Sequence, residues 1–432
     1  MSEHTSFTGL EGAGKDAAAE AVRLLRKPQL VRERCANITA AVAADRSPHF
    51  RLERARLQDV ARRVARLTLE RFPDGRVPLH SRWRHFEAGG SSRKALMDGR
   101  SQGLSAGELA RTRIDLAVLS VLLDAGAGPD WHFVEPGTQR RLVRSEGLAV
   151  ASFHAFMSGA FSSDVRVPMR VDAAALERVD ADQLARLFQV REGNALVGLE
   201  GRVALLRRLG AALKKRPDVF GSPGRPGYLF DLLTNPMVGA PGSTVQRIAV
   251  KRVSAPQILR ALLKAFGAIW PSGQLLGGKP IGDTWPHPMA GGEGPSAGRV
   301  PLHKLSQWMT YSLVEPFQWA GIAVEGLDEL TGLPEYRNGG LFIDAGVIVP
   351  RDPAFGAQAY TVADPWVIEW RALTVTLLDE VARQVRAELG QPGLPLGAIL
   401  EGGTWLAGRQ IAAERRPGGP PPVRVASNGT IF

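Results

Sequence analysis

The chain has 432 residues, 44% apolar and 22% charged, with a formal net charge of +11 and a single cysteine. The lone Cys35 excludes an intrachain disulfide and any cysteine-built zinc or iron–sulfur site. No run approaches the ~20 apolar residues of a membrane-spanning helix, and the first residues, MSEHTSFTGLEGAGK, lack a basic-then-apolar signal pattern, so a cytoplasmic location with no membrane partner is expected.

The positive charge is diffuse. Arg54, Arg56, Arg62, Arg63 and Arg66 are scattered through Ala/Leu-rich sequence, as on the solvated faces of amphipathic helices. With no basic tail, zinc-finger spacing or aromatic RNA-binding signature, this argues against a nucleic-acid partner and for a small anionic substrate.

Residues 1–25 read as a loosely ordered arm, and 26–432 as one large helical unit, open to division into two lobes at a Gly/Pro/aromatic-rich junction near 217–245. Within the arm, Gly9–Lys15 fits the opening of a phosphate loop. Asp16, however, stands where a magnesium-binding Ser or Thr is needed, and no strand precedes it. No cofactor is expected.

From 17 to 72 the apolar spacing predicts two or three helices. The segment 77–90, VPLHSRWRHFEAGG, then places His80, Arg82, Trp83, Arg84, His85 and Glu87 within eight positions. Aromatic faces beside guanidinium groups suit stacking and phosphate or ribose contacts; they also suit an aromatic anchor for a surface loop. Helices are predicted over 105–124, from Ser145 onward, at 173–190 and 199–214, and from Pro256 to Ile269. The helix from Ser145 carries His154 on an apolar face, where a satisfied core histidine is the expected role. A Gly/Pro-rich excursion at 271–300 contains Trp285 and His287, which favours a functional loop.

The segment 302–321, LHKLSQWMTYSLVEPFQWAG, has helical spacing that Pro316 ends or kinks. Its His303, Lys304, Gln307, Trp308, Tyr311, Gln318 and Trp319 are unusually aromatic for a solvated face. It leads into Leu327–Leu341, LDELTGLPEYRNGGL, in which an acid, a phenol and a guanidinium (Glu335, Tyr336, Arg337) follow Pro334 and precede Gly339-Gly340. This predicts a turn able to press polar groups against a ligand. The competing reading is a capped helix end with a weak surface ion pair. Leu341–Val349 is the most strand-like segment, and Asp364-Pro365 opens a long helix to Leu389. The fold class is therefore mainly α: a multi-helix globular protein with long Gly/Pro-rich loops and a few short strands, for which a DNA-glycosylase-like helical core is one available arrangement.

Metal hydrolysis is not supported, since HEXXH is absent and only His80 and His85 are close in sequence. Gly294–Gly298, GPSAG, matches a nucleophile-elbow string around Ser296, but no apolar strand precedes it and Pro295 adjoins the serine. A carboxylate-centred mechanism with basic and aromatic binding groups remains. It fits hydrolysis at a sugar anomeric carbon, where a fixed carboxylate stabilises an oxocarbenium-like transition state.

The strings HSRWRHFEAGG, VPLHKLSQWMTYSLVEPFQWAG, LTGLPEYRNGGL, LEGGTW and the closing RPGG with SNGTIF resemble the uracil catabolism protein 4 family of fungi and bacteria over almost the whole chain. The resemblance implies a pathway in which uracil becomes UMP and its ring is opened. It implies for this chain the N-glycosidic hydrolysis of a ureido-ribose phosphate to urea and ribose phosphate, with association with other uracil-pathway enzymes left open. A binding or channelling partner, or an amidohydrolase acting on the ureido group, are the alternatives. More locally, Leu330–Arg337 is similar to the L-T-x-F-A-D-Y-R string of the queuosine-phosphate glycosylase family, whose catalytic Asp corresponds to Glu335. Glu replaces Asp here, Leu333-Pro334 replace Phe-Ala, and Asn338-Gly339-Gly340 depart from that family's continuation. The expected site is thus Glu335 as catalytic carboxylate, with Tyr336, Arg337, His80, Arg82, Trp83, Arg84, His303, Lys304, Trp308, Gln318 and Trp319 binding substrate. Arg84, Lys304 and Arg337 are the phosphate candidates, and Trp83, Trp308 and Trp319 the walls of the sugar or urea.

Overall fold

The computed structural model describes residues 8–238, 246–270, 272 and 274–426. Helices dominate, and the strands among the described residues pair only as two-stranded ladders. Eight helices form the cleft or the scaffold around it: α1 (Pro28–Ala43), α2 (Leu57–Arg71), α3 (Ala106–Leu122), α4 (Arg144–Met157), α5 (Lys304–Trp319), α6 (Tyr336–Asp344), α7 (Pro365–Leu389) and α8 (Trp405–Arg415).

The long α7 is the internal post. Its Trp370, Leu373, Leu377 and Val381 are buried, and α1 and α2 pack along it. Opposite, α5 packs on α3, whose start is capped by the Ser105 hydroxyl accepting from the Glu108 N–H at 3.2 Å. One continuous buried cluster runs from Val31 to Val423, so residues from both ends of the chain share a core. A short helix, Leu396–Ile399, passes through one π turn, Leu400–Thr404, directly into α8. That turn carries Gly402 and Gly403, which approach Thr68 and Val64 of α2 too closely for any side chain.

Helices α6 and α8 also meet through glycine. A Cβ on Gly408 of α8 would collide with the Arg337 carbonyl of α6, and one on Gly339 would lie 2.6 Å from the Trp370 indole. Gly339 and Gly340 therefore do not prolong a turn, as the sequence suggested. The turn ends at Glu335, and both glycines sit inside α6, where they permit close packing. The strand expected over Leu341–Val349 is likewise displaced. Leu341–Asp344 completes α6, Gly346 takes a left-handed φ of 71° to end it, and only Ile348–Pro350 is extended, paired with Phe50–Leu52.

The two aromatic residues singled out in the 271–300 excursion are packed into the fold. Trp285 is buried and donates its Nε1 to Asp283 at 2.7 Å, and Asp283 forms a bidentate ion pair with Arg371 of α7 at 2.7 and 2.9 Å. His287 is also buried, 3.6 Å from Glu369. Gly9–Lys15 falls within a helix, Thr8–Leu25, instead of a loop. Part of the expected junction, 239–245, lies outside the described residues. Among the described residues no helix is long and apolar enough to cross a membrane.

The glycine contact between α6 and α8 gives a direct expectation. Gly408→Ala should lower the free energy of unfolding in urea by about 1–3 kcal/mol, the usual range for overpacking. Gly393→Ala, where an added Cβ meets nothing within 4 Å, should change it by less than about 0.5 kcal/mol.

Candidate functional site

A cleft of about 620 Å³ opens where α4, α5, α6 and α8 converge. Its walls bring together the first turn of α5 (Lys304, Trp308), the start of α6 (Glu335, Tyr336, Arg337) and His80 and His85. Asp124, just after α3, Arg144 and Ser145 at the start of α4, Trp405, and a strap from Pro417 to Val425 complete it. Three stretches singled out from the sequence, around 80, 304 and 335, thus share one cavity.

Glu335 is the N-cap of α6. Its Oε2 accepts from the Arg337 N–H and its Oε1 from the Asn338 N–H, both at 2.6 Å. The helix-cap reading of this segment is therefore realised, but not at a surface, because the Glu335 side chain is buried in the cleft wall. Burial pushes its carboxyl above the ordinary range, while the two backbone donors, Lys304 and Arg337 pull it back. Facing it is Lys304, only 7% exposed. Burial lowers the ammonium, and Glu335 and Asp124 counter this by favouring the charge. Among the described residues the Lys304 ammonium makes no ion pair; it lies 5.9 Å from the centre of the Trp308 ring.

His80 is oriented from behind. Its Nδ1 lies 2.8 Å from Oε2 of Glu401, which can only accept, so Nδ1 carries the proton and Nε2 is left as the other ring nitrogen. Glu401 stands on the π turn and also receives Arg71 at 2.8 Å. Burial would raise the Glu401 carboxyl, but His80 and Arg71 outweigh it and hold the group below the ordinary range. Single π turns recur at functional sites because they redirect one side chain out of helical register.

His85 lies beside His80, their rings 5.9 Å apart, and both sit near the Trp308 and Trp405 rings at 5.6 to 6.2 Å. Its Nδ1 meets Arg82 Nη1 at 3.2 Å and the Ser145 hydroxyl at 2.9 Å. Since a guanidinium only donates, Nδ1 is the acceptor and the N–H is on Nε2. Burial, then Arg82 and the neighbouring cations, drives its basicity well below that of a free imidazole. His85 is thus a neutral hydrogen-bond donor at neutral pH. Asp124 completes this group, held by Arg82 at 2.6 Å and by Ser145 at 2.7 Å.

Of the residues expected from the sequence, Glu335, Tyr336, Arg337, His80, Lys304 and Trp308 line the cleft. The other six do not. Arg82 is fully buried behind it, bound to Ser120, Asp124 and Ser145. Trp83 lies in the core with its Nε1 on the Ser312 carbonyl at 2.9 Å. Arg84 pairs with Glu315 at 2.7 Å. His303 is buried with Nε2 on the Leu25 carbonyl at 2.9 Å. Gln318 is exposed, and Trp319 is clamped between Lys94 and Arg113, at 4.6 and 5.0 Å. The last two fail for a simple reason: fourteen and fifteen residues along α5 carry them roughly 20 Å from Lys304. His154, expected as a satisfied core residue, is half-buried and contacts Glu135 at 3.1 Å. Ser296 is buried outside the cleft, 3.4 Å from its own turn's Glu293 carbonyl. Cys35 is buried and its thiol pushed up by desolvation, which leaves it inert.

A family described as "Protein of unknown function (DUF1688)" matches residues 24–432. Uracil catabolism protein 4 of Lachancea kluyveri is 36% identical over 413 residues, covering 89% of this chain and 92% of the relative. Protein urg3 of Schizosaccharomyces pombe is 34% identical over 426 residues, covering 96% of this chain and 100% of the relative. The chain belongs to the family that these two proteins represent.

The Glu401 environment makes stability depend on pH in a defined direction. A carboxyl depressed in the fold contributes stability above its unfolded value of about 4.3 and loses it as the pH falls through the folded one. The gap in unfolding free energy between the native chain and Glu401→Gln should be widest near pH 7 and close as the pH drops below about 4. Urea titrations at pH 7, 5 and 3.5 measure it, and a gap independent of pH would contradict an ionised Glu401.

Proposed function

We propose that this family member acts in uracil catabolism as an N-ribosidase, hydrolysing the bond between a ribosyl C1′ and the nitrogen of a ureido group to release urea. The observation that carries the reading is the cleft in which a buried, immobilised carboxylate, Glu335, shares a small cavity with a carboxylate-oriented histidine, His80. The name of the relative, Uracil catabolism protein 4, supports the pathway.

Departure of the leaving nitrogen places positive charge on C1′ and the ring oxygen. Glu335 cannot swing away, because both its oxygens are fixed by backbone N–H groups, so its negative field is already in place when that charge develops. Water must then be activated and the leaving nitrogen protonated. His80, with Nδ1–H fixed on Glu401, is the group suited to moving these protons at Nε2. The neutral His85 N–H and the Trp308 and Trp405 faces suit a sugar, which presents hydroxyl acceptors and apolar C–H faces.

A second reading keeps the same cleft but no chemistry: a binding or channelling partner for the ring-opened intermediate. It is favoured by the engagement of both Glu335 oxygens in capping, a role that needs no reaction. An amidohydrolase would instead cut within the ureido group.

Incubation of the purified protein with the ring-opened UMP product separates the three. N-ribosidase activity yields urea and an intact ribosyl product, and amide cleavage yields other fragments by mass spectrometry. Tight binding without turnover, or turnover only beside another pathway enzyme, would favour the partner. Glu335→Gln should lower kcat by at least about 100-fold, the usual cost of removing a preorganised electrostatic group, with the fold retained by circular dichroism. Unchanged kcat in that variant would remove Glu335 from the mechanism.

A further inference from the structure

We propose that Arg144 and Arg337 form a phosphomonoester subsite at the mouth of the cleft, so that the ligand is a phosphorylated ribosyl compound bound phosphate-outward. The proposal rests on the N-ribosidase reading only for the identity of the sugar.

The two guanidinium groups are brought together by the strap. Arg337 donates Nη1 to the Gly419 carbonyl at 3.0 Å and Arg144 donates Nη2 to the adjacent Gly418 carbonyl at 3.2 Å. Consecutive residues are only about 3.8 Å apart at Cα, so both side chains converge on one short length of backbone. Both line the cleft.

Glu335 and Glu146 lie near enough to act on Arg337 and Arg144, but neither carboxylate closes on its arginine. Among the described residues neither Arg144 nor Arg337 forms an ion pair, whereas the buried Arg82, Arg93, Arg225 and Arg371 each pair with a carboxylate. Arg337 is only 5% exposed; the fully buried Arg202 is held by four backbone carbonyls without an anion, whereas Arg337 rests on the Gly419 carbonyl in the field of Glu335, so an added anion there would be favourable. Its stacking on Tyr336, at 5.0 Å, orients the group without neutralising it. The two cations also repel: after burial, Arg337 and Arg409 are the main causes lowering the Arg144 basicity.

The backbone adds an independent sign. Arg144 has a left-handed φ of 57°, a strained conformation for a residue with a side chain, and it is the first residue of α4. From that first position its side chain reaches the strap at Gly418. A fork of guanidinium donors beside a helix start matches the three oxygens and double charge of a phosphomonoester better than a single carboxylate. Lys304 is not part of this subsite, because its neighbours Glu335 and Asp124 already offset its charge at the reactive end.

The test is calorimetric titration of the full chain with ribose 5-phosphate, inorganic phosphate and ribose in low salt at pH 7.5. Ribose 5-phosphate should bind at least about ten-fold more tightly than ribose, and inorganic phosphate should compete with it. Arg144→Ala, at an exposed position where folding is retained, should lower ribose 5-phosphate affinity about ten-fold without changing that for ribose; Arg337→Lys should do the same by removing the fork. Equal binding of ribose and ribose 5-phosphate, no binding of either phosphate, or native affinity in Arg144→Ala would overturn the proposal. Urea release is a separate readout: turnover of an unphosphorylated substrate with no phosphate binding would sink the subsite and leave the N-ribosidase reading standing, whereas phosphate binding without urea release would do the reverse.

Discussion

The cleft depends on the cap that Glu335 places on α6. Two 2.6 Å bonds from backbone donors fix the carboxylate and also fix where the helix begins. Once that start is set, Tyr336 and Arg337 are aimed into the cavity by helix geometry, and Gly408 lets α8 approach closely enough to hold them there. Removing such a cap typically costs about 1 kcal/mol. In a buried wall it would also leave two N–H groups without partners. The structural and the functional readings of this segment are therefore not rivals, since the immobility needed for electrostatic stabilisation is what capping supplies.

A second constraint acts from the opposite wall. His80 and Glu401 are joined at 2.8 Å across more than three hundred residues, and Glu401 reaches that position because the π turn interrupts helical register. Gly402 and Gly403 allow the turn to press against α2, whose Arg71 shares the same carboxylate. Scaffold and site thus use the same contacts.

The helical class was legible because apolar spacing along α3, α5 and α7 is regular and the caps Ser105 and Asp364 mark their starts. Glu335 was legible as chemistry because an acid between Pro334 and two glycines is rare inside ordinary helices. Its partners were less so. Sequence spacing cannot distinguish a glycine needed for left-handed φ from one needed for close approach, and so Gly339 looked like loop and Leu341–Val349 like strand. Interleaved Trp and Arg near 83 and 319 looked like a binding face. In the fold Arg82 is bound by Ser120 and Asp124, Trp83 donates to the Ser312 carbonyl and Trp319 lies against Arg113, because a buried arginine needs several acceptors and an indole needs one. Glu401 and Arg144 were missed because their meaning lies in contacts far away along the chain, and only the LEGGTW string hinted at the first.

The strap from Pro417 to Val425 is the last part of the cleft in chain order, yet it supplies the carbonyls on which Arg144 and Arg337 rest. During synthesis the wall around His80, Lys304 and Glu335 therefore leaves the ribosome before the segment that finishes the cavity. A nascent chain therefore has the helices of the cleft available while the strap across its mouth is still to be made.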